Sequence, residues 1–160
     1  MDLGMWRSTF KKAAKDLQRG DTWNLEFDSS IHPEHPQPGW KEYIRRTSAW
    51  FKCSLCRRDW SSDRVMVVFH MRLEGSTGTV KVRRLRQSCN RCSDARMEDP
   101  TVEMENLRNL MESLVMKIGM NCYNETNPKG GEYVQKKPDN TRPHEPAHCE
   151  GCKLGFCTNE

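Results

Sequence analysis

The chain has 160 residues, 35% hydrophobic and 30% charged, with a net charge of +4. That length suits a single domain, residues 1–160, with a core so thin that cross-links are expected to support it. No stretch approaches the roughly 20 apolar residues of a membrane span, and the opening MDLGMWRSTFKKAAKD reads as an amphipathic helix, not a secretory signal.

In chain order, Trp6, Phe10, Ala13 and Leu17 form one helical stripe over Leu3 to Leu17. Asp2 is placed to cap its start and Gly20 to stop it, with Lys11, Lys12, Lys15 and Asp16 on the solvated face. WNLEF (23–27) alternates as a short strand, and the proline-rich SSIHPEHPQPG (29–39) is a loop. WKEYIRR (40–46) follows Pro-Gly and predicts a short helix with Trp40, Tyr43 and Ile44 inward. VMVVFHMRL (65–73), the turn EGSTG (74–78) and TVKVRRLRQSC (79–89) form a hairpin, with a bulge expected where Arg83-Arg84 breaks alternation. Asp99 as N-cap, Pro100 at the first helical position and the stripe Leu107, Leu110, Met111, Leu114 and Ile118 predict a helix ending at Gly119. Residues 124–148 read as a long loop with one strand at EYVQK (132–136).

Six of the eight cysteines fall in three Cys-x-x-Cys pairs: CSLC (53–56), CNRC (89–92) and CEGC (149–152). A disulfide within such a pair closes a tiny loop and restrains the unfolded chain little. Two thiolates two residues apart on a tight turn instead point at a common tetrahedral ion, so zinc is favoured over disulfides despite the Asn124-Glu125-Thr126 sequon. Three such pairs without a βαβ pattern also argue against a disulfide oxidoreductase.

The hairpin returns the chain to its start, so Cys53, Cys56, Cys89 and Cys92 are expected to surround one ion. The fold class is then α+β, a zinc-ribbon-like antiparallel sheet with two main flanking helices. Cys149 and Cys152 need partners for a second ion; His144, His148 and Cys157 are near in sequence, and His70 or Cys122 would complete an interleaved arrangement. A strand histidine such as His70 is more often a satisfied core or surface residue, and Cys122 more often a buried thiol. Thiolate-rich, closed zinc is structural, and no His-Glu-x-x-His pattern occurs, so no enzyme is expected.

Residues 41–92 carry 13 Lys or Arg against 4 Asp or Glu. Arg45, Arg46, Arg57, Arg58, Lys81, Arg83, Arg84 and Arg86 are interleaved with Trp50, Phe51 and Trp60, a pattern that can grip phosphates and stack on unpaired RNA bases. The competing expectation places those aromatics in the core, with the basic face merely solvated or turned to a lipid surface.

The N-terminal Trp/Phe helix, TWNLEF, PGWKEY, WFKCSLCRRDWSSDRVMVVFHM, VKVRRLRQSCNRC, the EDP-led helix and PHEPAHCEGCKLGFC together resemble the receptor-transporting proteins almost end to end. Their shared domain is a three-Cys-x-x-Cys zinc finger, also found in zygote-arrest proteins. Trp60 and the Pro143-His144 pair belong to the pattern, which implies His144 over His148 as the non-cysteine ligand. The resemblance further implies a domain at the cytoplasmic face of membranes that helps G-protein-coupled receptors (odorant, taste and opioid types) reach the cell surface. Family members carry a C-terminal membrane anchor after a variable linker, so a longer, anchored protein is expected around this domain. Some relatives are interferon-induced, antiviral and bind RNA in a zinc-dependent way, which makes RNA the alternative partner.

Overall fold

The computed structural model describes residues 3–17, 21–123, 148–150 and 154. Helix α1 (Leu3–Ala13), extended by a 3-10 turn over Ala14–Leu17, is followed by strands β1 (Thr22–Phe27), β2 (Lys41–Lys52), β3 (Asp59–Glu74) and β4 (Thr77–Arg84). The short strands β5 (Gln87–Ser88) and β6 (Met97–Glu98) and helix α2 (Met104–Cys122) complete the described elements. The main sheet has the order β1-β4-β3-β2, antiparallel except for β1, which runs parallel to β4. The α+β class and the zinc-ribbon hairpin are as expected; the parallel edge strand is the departure from a purely antiparallel sheet.

Alternation builds one dry face of the sheet. Val65, Val67, Phe69 and Met71 on β3 and Val80 and Val82 on β4 are all buried, and register sets Phe69 beside Val82 and Met71 beside Val80. Onto this face pack Trp6 and Phe10 of α1 and Leu107, Leu110, Met111, Leu114 and Ile118 of α2, the two stripes read from the sequence. Burying side chains of this size contributes roughly 1.5–3 kcal/mol each, which offsets much of the ordering entropy of a chain with few apolar residues. The other face is covered by the loop after β1: Ile31 is buried, its carbonyl accepts from Arg83 Nη1 at 3.0 Å, and Lys81 Nζ sits 5.0 Å from the Trp40 ring centroid.

Four local expectations are corrected. Residues 40–46 form no helix: Lys41 to Arg46 pair antiparallel with Met71 to Met66, because a long free edge of β3 outweighs a seven-residue helical pattern. The bulge lies on β3, where Asp63 and Arg64 stand opposite Ser48 between the Thr47–Val65 and Ala49–Ser62 pairs, not at Arg83-Arg84, where β4 simply ends. Helix α2 starts at Met104 with Glu103 as N-cap, not at Pro100, because Thr101 exchanges two backbone hydrogen bonds with Trp50 (2.9 and 2.7 Å) and is held extended against the end of β2. Gly119 is buried inside α2, which continues to Cys122. The predicted caps Asp2 and Gly20 and the strand at 132–136 lie outside the described residues.

Candidate metal centre

Three strand ends converge on the first two cysteine pairs. β2 runs into the Cys53 turn, β3 leaves it at Asp59, and β4 with β5 delivers Cys89. Backbone bonds lock the first turn: Cys53 N–H donates to Arg58 O at 2.9 Å and Arg57 N–H to Cys53 O at 3.0 Å. Ser54 donates both its N–H and its hydroxyl to one oxygen of Glu98, each at 2.8 Å, which ties the turn to β6.

The sulfurs of Cys53, Cys56, Cys89 and Cys92 all lie within 4.8 Å of one another. The shortest approaches cross between the turns, Cys53 to Cys92 and Cys56 to Cys89, both at 3.7 Å. A disulfide needs about 2.05 Å, whereas four sulfurs at about 2.3 Å from a tetrahedral zinc stand about 3.8 Å apart. The cluster therefore fits zinc.

Electrostatics agree. Cys53 Sγ accepts N–H groups of Cys56 (3.5 Å) and Leu55 (3.4 Å), and the bond from Cys56 does most to hold its thiol below the ordinary range. Burial pushes the Cys89 thiol up, but Arg58 Nε at 3.4 Å and the Arg91 N–H at 3.4 Å outweigh it and bring it down to about 6. Cys92 is pushed up to about 12, chiefly by Cys56 and by burial. So crowded a set of thiols ionises fully only around a cation. Arg58 is positioned by stacking over Trp60 at 4.8 Å; Trp60 lies parallel to Phe51 (5.3 Å) and donates Nε1–H to Gln87 Oε1 at 2.9 Å. Zinc held by Cys53, Cys56, Cys89 and Cys92 would supply charge neutralisation and a cross-link here, and the donors from Arg58 and the backbone would offset the excess negative charge of four thiolates.

Of the third pair, Cys149 is buried and bridged to Gln87, while His144, Cys152 and Cys157 lie outside the described residues. The segment is anchored beside β5: Glu150 N–H donates to Arg86 O (2.9 Å), and Ser88 Oγ lies 3.1 Å from His148 Nδ1. The Glu150 carboxylate accepts from Arg86 Nη2 at 2.8 Å, from the Arg86 N–H at 3.0 Å and from Arg83 Nη2 at 3.4 Å. Sequence reasoning missed Glu150; its one signal was an acid inside a Cys-x-x-Cys turn of a chain whose arginines cluster elsewhere. His70 is not at the cluster: it is buried within β3, its Nε2 2.7 Å from Glu42 Oε2. Cys122 is half-buried against the core.

The eight basic residues named for RNA do not share one open face. Arg83 and Arg86 hold Glu150, and Lys81 holds Asp28 at 3.4 Å. Arg84, its side chain 12% exposed, lies over Phe27 at 4.0 Å and faces Asp99. Arg45 donates to Tyr43 Oη at 3.1 Å and Arg58 to Cys89, while Arg46 and Arg57 are exposed. Of the interleaved aromatics, Phe51 is buried and Trp60 half-buried; Trp50 is 39% exposed, a correction to its expected core position, because strand alternation sets it on the face opposite buried Ala49 and Phe51, where Nε1–H donates to Glu103.

A mixed sheet whose hairpin brings two cysteine turns onto one tetrahedral cluster defines a zinc-binding protein of the zinc-ribbon class. The family model for the three-CxxC zinc ribbon, described as a zinc-binding domain, matches residues 46–155. Receptor-transporting protein 3 of Mus musculus is 34% identical over 98% of this chain and 34% of its own length. Receptor-transporting protein 2 of Mus musculus is 31% identical over 94% of this chain and 69% of its own length, and receptor-transporting protein 4 of Homo sapiens 31% over 98% and 65%. The chain belongs to the receptor-transporting protein family, and spans from about a third to about two-thirds of the length of these relatives. No solved structure matches it at a comparable level of significance.

Proposed function

We propose that this chain is a zinc-stiffened, non-enzymatic adaptor that binds G-protein-coupled receptors and promotes their delivery to the cell surface. One observation carries the reading: similarity to receptor-transporting proteins runs over 94–98% of the chain and includes the cysteine turns that build the metal cluster. The cluster's role in this reading is mechanical. It clamps the ends of β2, β3 and β4, so that a sheet with a thin core presents a fixed surface to a receptor segment. Reduced thiols at such a centre suit the cytoplasmic face of membranes; among the described residues no helix is long and apolar enough to cross one.

A second zinc is proposed on His144, Cys149, Cys152 and Cys157, supported by the buried Cys149 and its attachment to β5. Metal analysis of the purified chain, with each ligand replaced in turn, counts the ions; one equivalent overturns the second site. Receptor at the surface of cells, scored by antibody with and without the protein, tests the adaptor reading. Unchanged surface receptor, with zinc-loaded protein present, rejects it. RNA binding, the alternative, has weaker support, since Lys81, Arg83, Arg84 and Arg86 are engaged within the fold.

A further inference from the structure

The two cysteine turns end in a surface tip whose composition metal binding does not require. Leu55, in the first turn, is 50% exposed, more than any other large hydrophobic side chain among the described residues. Its N–H donates to Cys53 Sγ, as the N–H of Arg91, at the same position of the second turn, donates to Cys89 Sγ. The turns flank a single cluster of sulfurs, with an aliphatic side chain on one and an exposed guanidinium on the other.

Arg57, directly after Cys56, has φ of 65°, the left-handed region where glycine is favoured and any longer side chain carries strain. The turn cannot relax, because its backbone bonds between Cys53, Arg57 and Arg58 close it. Glycine would serve that turn better, so the strain points to a use for the side chain. Among the described residues neither Arg57 nor Arg91 has an ion-pair partner, in contrast to Arg83, Arg84 and Arg86.

We propose that this tip is a membrane-contact site, at which Leu55 enters the headgroup–acyl boundary of an anionic bilayer while Arg57 and Arg91 bind phospholipid headgroups. An exposed aliphatic chain flanked by cations suits that boundary, where apolar insertion and attraction to anionic lipid add. Single-stranded RNA would call for an exposed aromatic platform; the nearby rings of Phe51 and Trp60 are stacked on each other, and the exposed Trp50 ring is tied to an acidic side chain, Glu103. Exposed Asp94, beyond Cys92, subtracts from the positive field, so the contact is a weak one that works in addition to any other attachment.

The test is co-sedimentation of the zinc-loaded 160-residue chain with phosphatidylcholine vesicles, with and without phosphatidylserine. Binding is expected to require phosphatidylserine and to weaken with salt. R57G and R91Q should each lower it roughly five-fold, the effect of about one surface cation, and L55S by about five-fold through lost apolar insertion. All three should keep their zinc, and R57G should melt above wild type because the strained position is relieved. Equal binding to both vesicle types, or binding indifferent to the three substitutions, overturns the proposal. So does an R57G chain that melts lower, because Arg57 would then serve the fold. Preference for a single-stranded RNA oligonucleotide over the vesicles, with the same sensitivity to substitution, overturns it as well.

Discussion

Glu150 fastens the third cysteine turn to the ribbon, and replacing it with glutamine keeps its shape while removing its charge. The carboxylate side chain is 11% exposed and accepts two bonds of full strength, from Arg86 Nη2 at 2.8 Å and the Arg86 N–H at 3.0 Å. Contacts to Arg83 Nη2 and Arg86 Nε, both 3.4 Å, are longer and weaker. A hydrogen bond to a charged group contributes about 1.5–3 kcal/mol, but the Arg86 side chain is 41% exposed and solvent screens its share. E150Q retains one acceptor oxygen and turns an amide N–H2 toward a guanidinium, so a net loss of about 2 kcal/mol is expected. A double-mutant cycle with R86M, read by denaturant unfolding at neutral pH with zinc present, should give a coupling of about 1–2 kcal/mol. Burial raises the pKa of Glu150, but the bonds and charges of Arg86 and Arg83 lower it on balance below its ordinary 4.5. The contribution is thus present above that value and is lost as pH falls through the folded-state pKa. The gap between wild type and E150Q should close over that acid range, both proteins losing thiolate-bound zinc alike. A coupling near zero, or a gap independent of pH, would refute the electrostatic fastening.

Zinc removal is a separate perturbation. Structural zinc is worth on the order of 10 kcal/mol in small fingers, comparable with the whole stability of a domain, so chelator-treated or C56S protein should lose cooperative melting; an unchanged melt shows that the cluster is dispensable. Substituting Gly78 probes packing instead: a Cβ there would stand 2.2–2.4 Å from three ring atoms of Trp23. The ring is buried, and its Nε1–H bonds Tyr123 Oη at 3.0 Å, so G78A should destabilise by about 2–4 kcal/mol and quench or shift Trp23 fluorescence, with zinc stoichiometry unaltered. Finally, R58Q removes a donor to Cys89 and should weaken zinc about tenfold in competition with a chromophoric chelator; equal affinity would assign Arg58 to packing on Trp60 alone.

What could be read from the residues alone was whatever rests on local chemistry. Cys-x-x-Cys spacing sets two thiols on one turn, and a strand, turn and strand between two such pairs returns the second to the first, so the clustering of Cys53, Cys56, Cys89 and Cys92 needed no tertiary information. The same holds for the stripes of α1 and α2, whose buried faces follow from helical period.

Competition between partners decided the remainder. The pattern Trp40, Tyr43, Ile44 satisfies a helix and a strand almost equally, and only the free edge of β3 selects the strand. Asp99-Pro100 is a good helix start until Thr101 finds the backbone of Trp50, and Arg83, Arg84 and Arg86 have no partner near them in the sequence because Asp99 and Glu150 are set beside them only by folding. Spacing along the chain fixes which atoms can meet within a turn, whereas the pairing of charges and strand edges depends on distances that exist only once the sheet has closed.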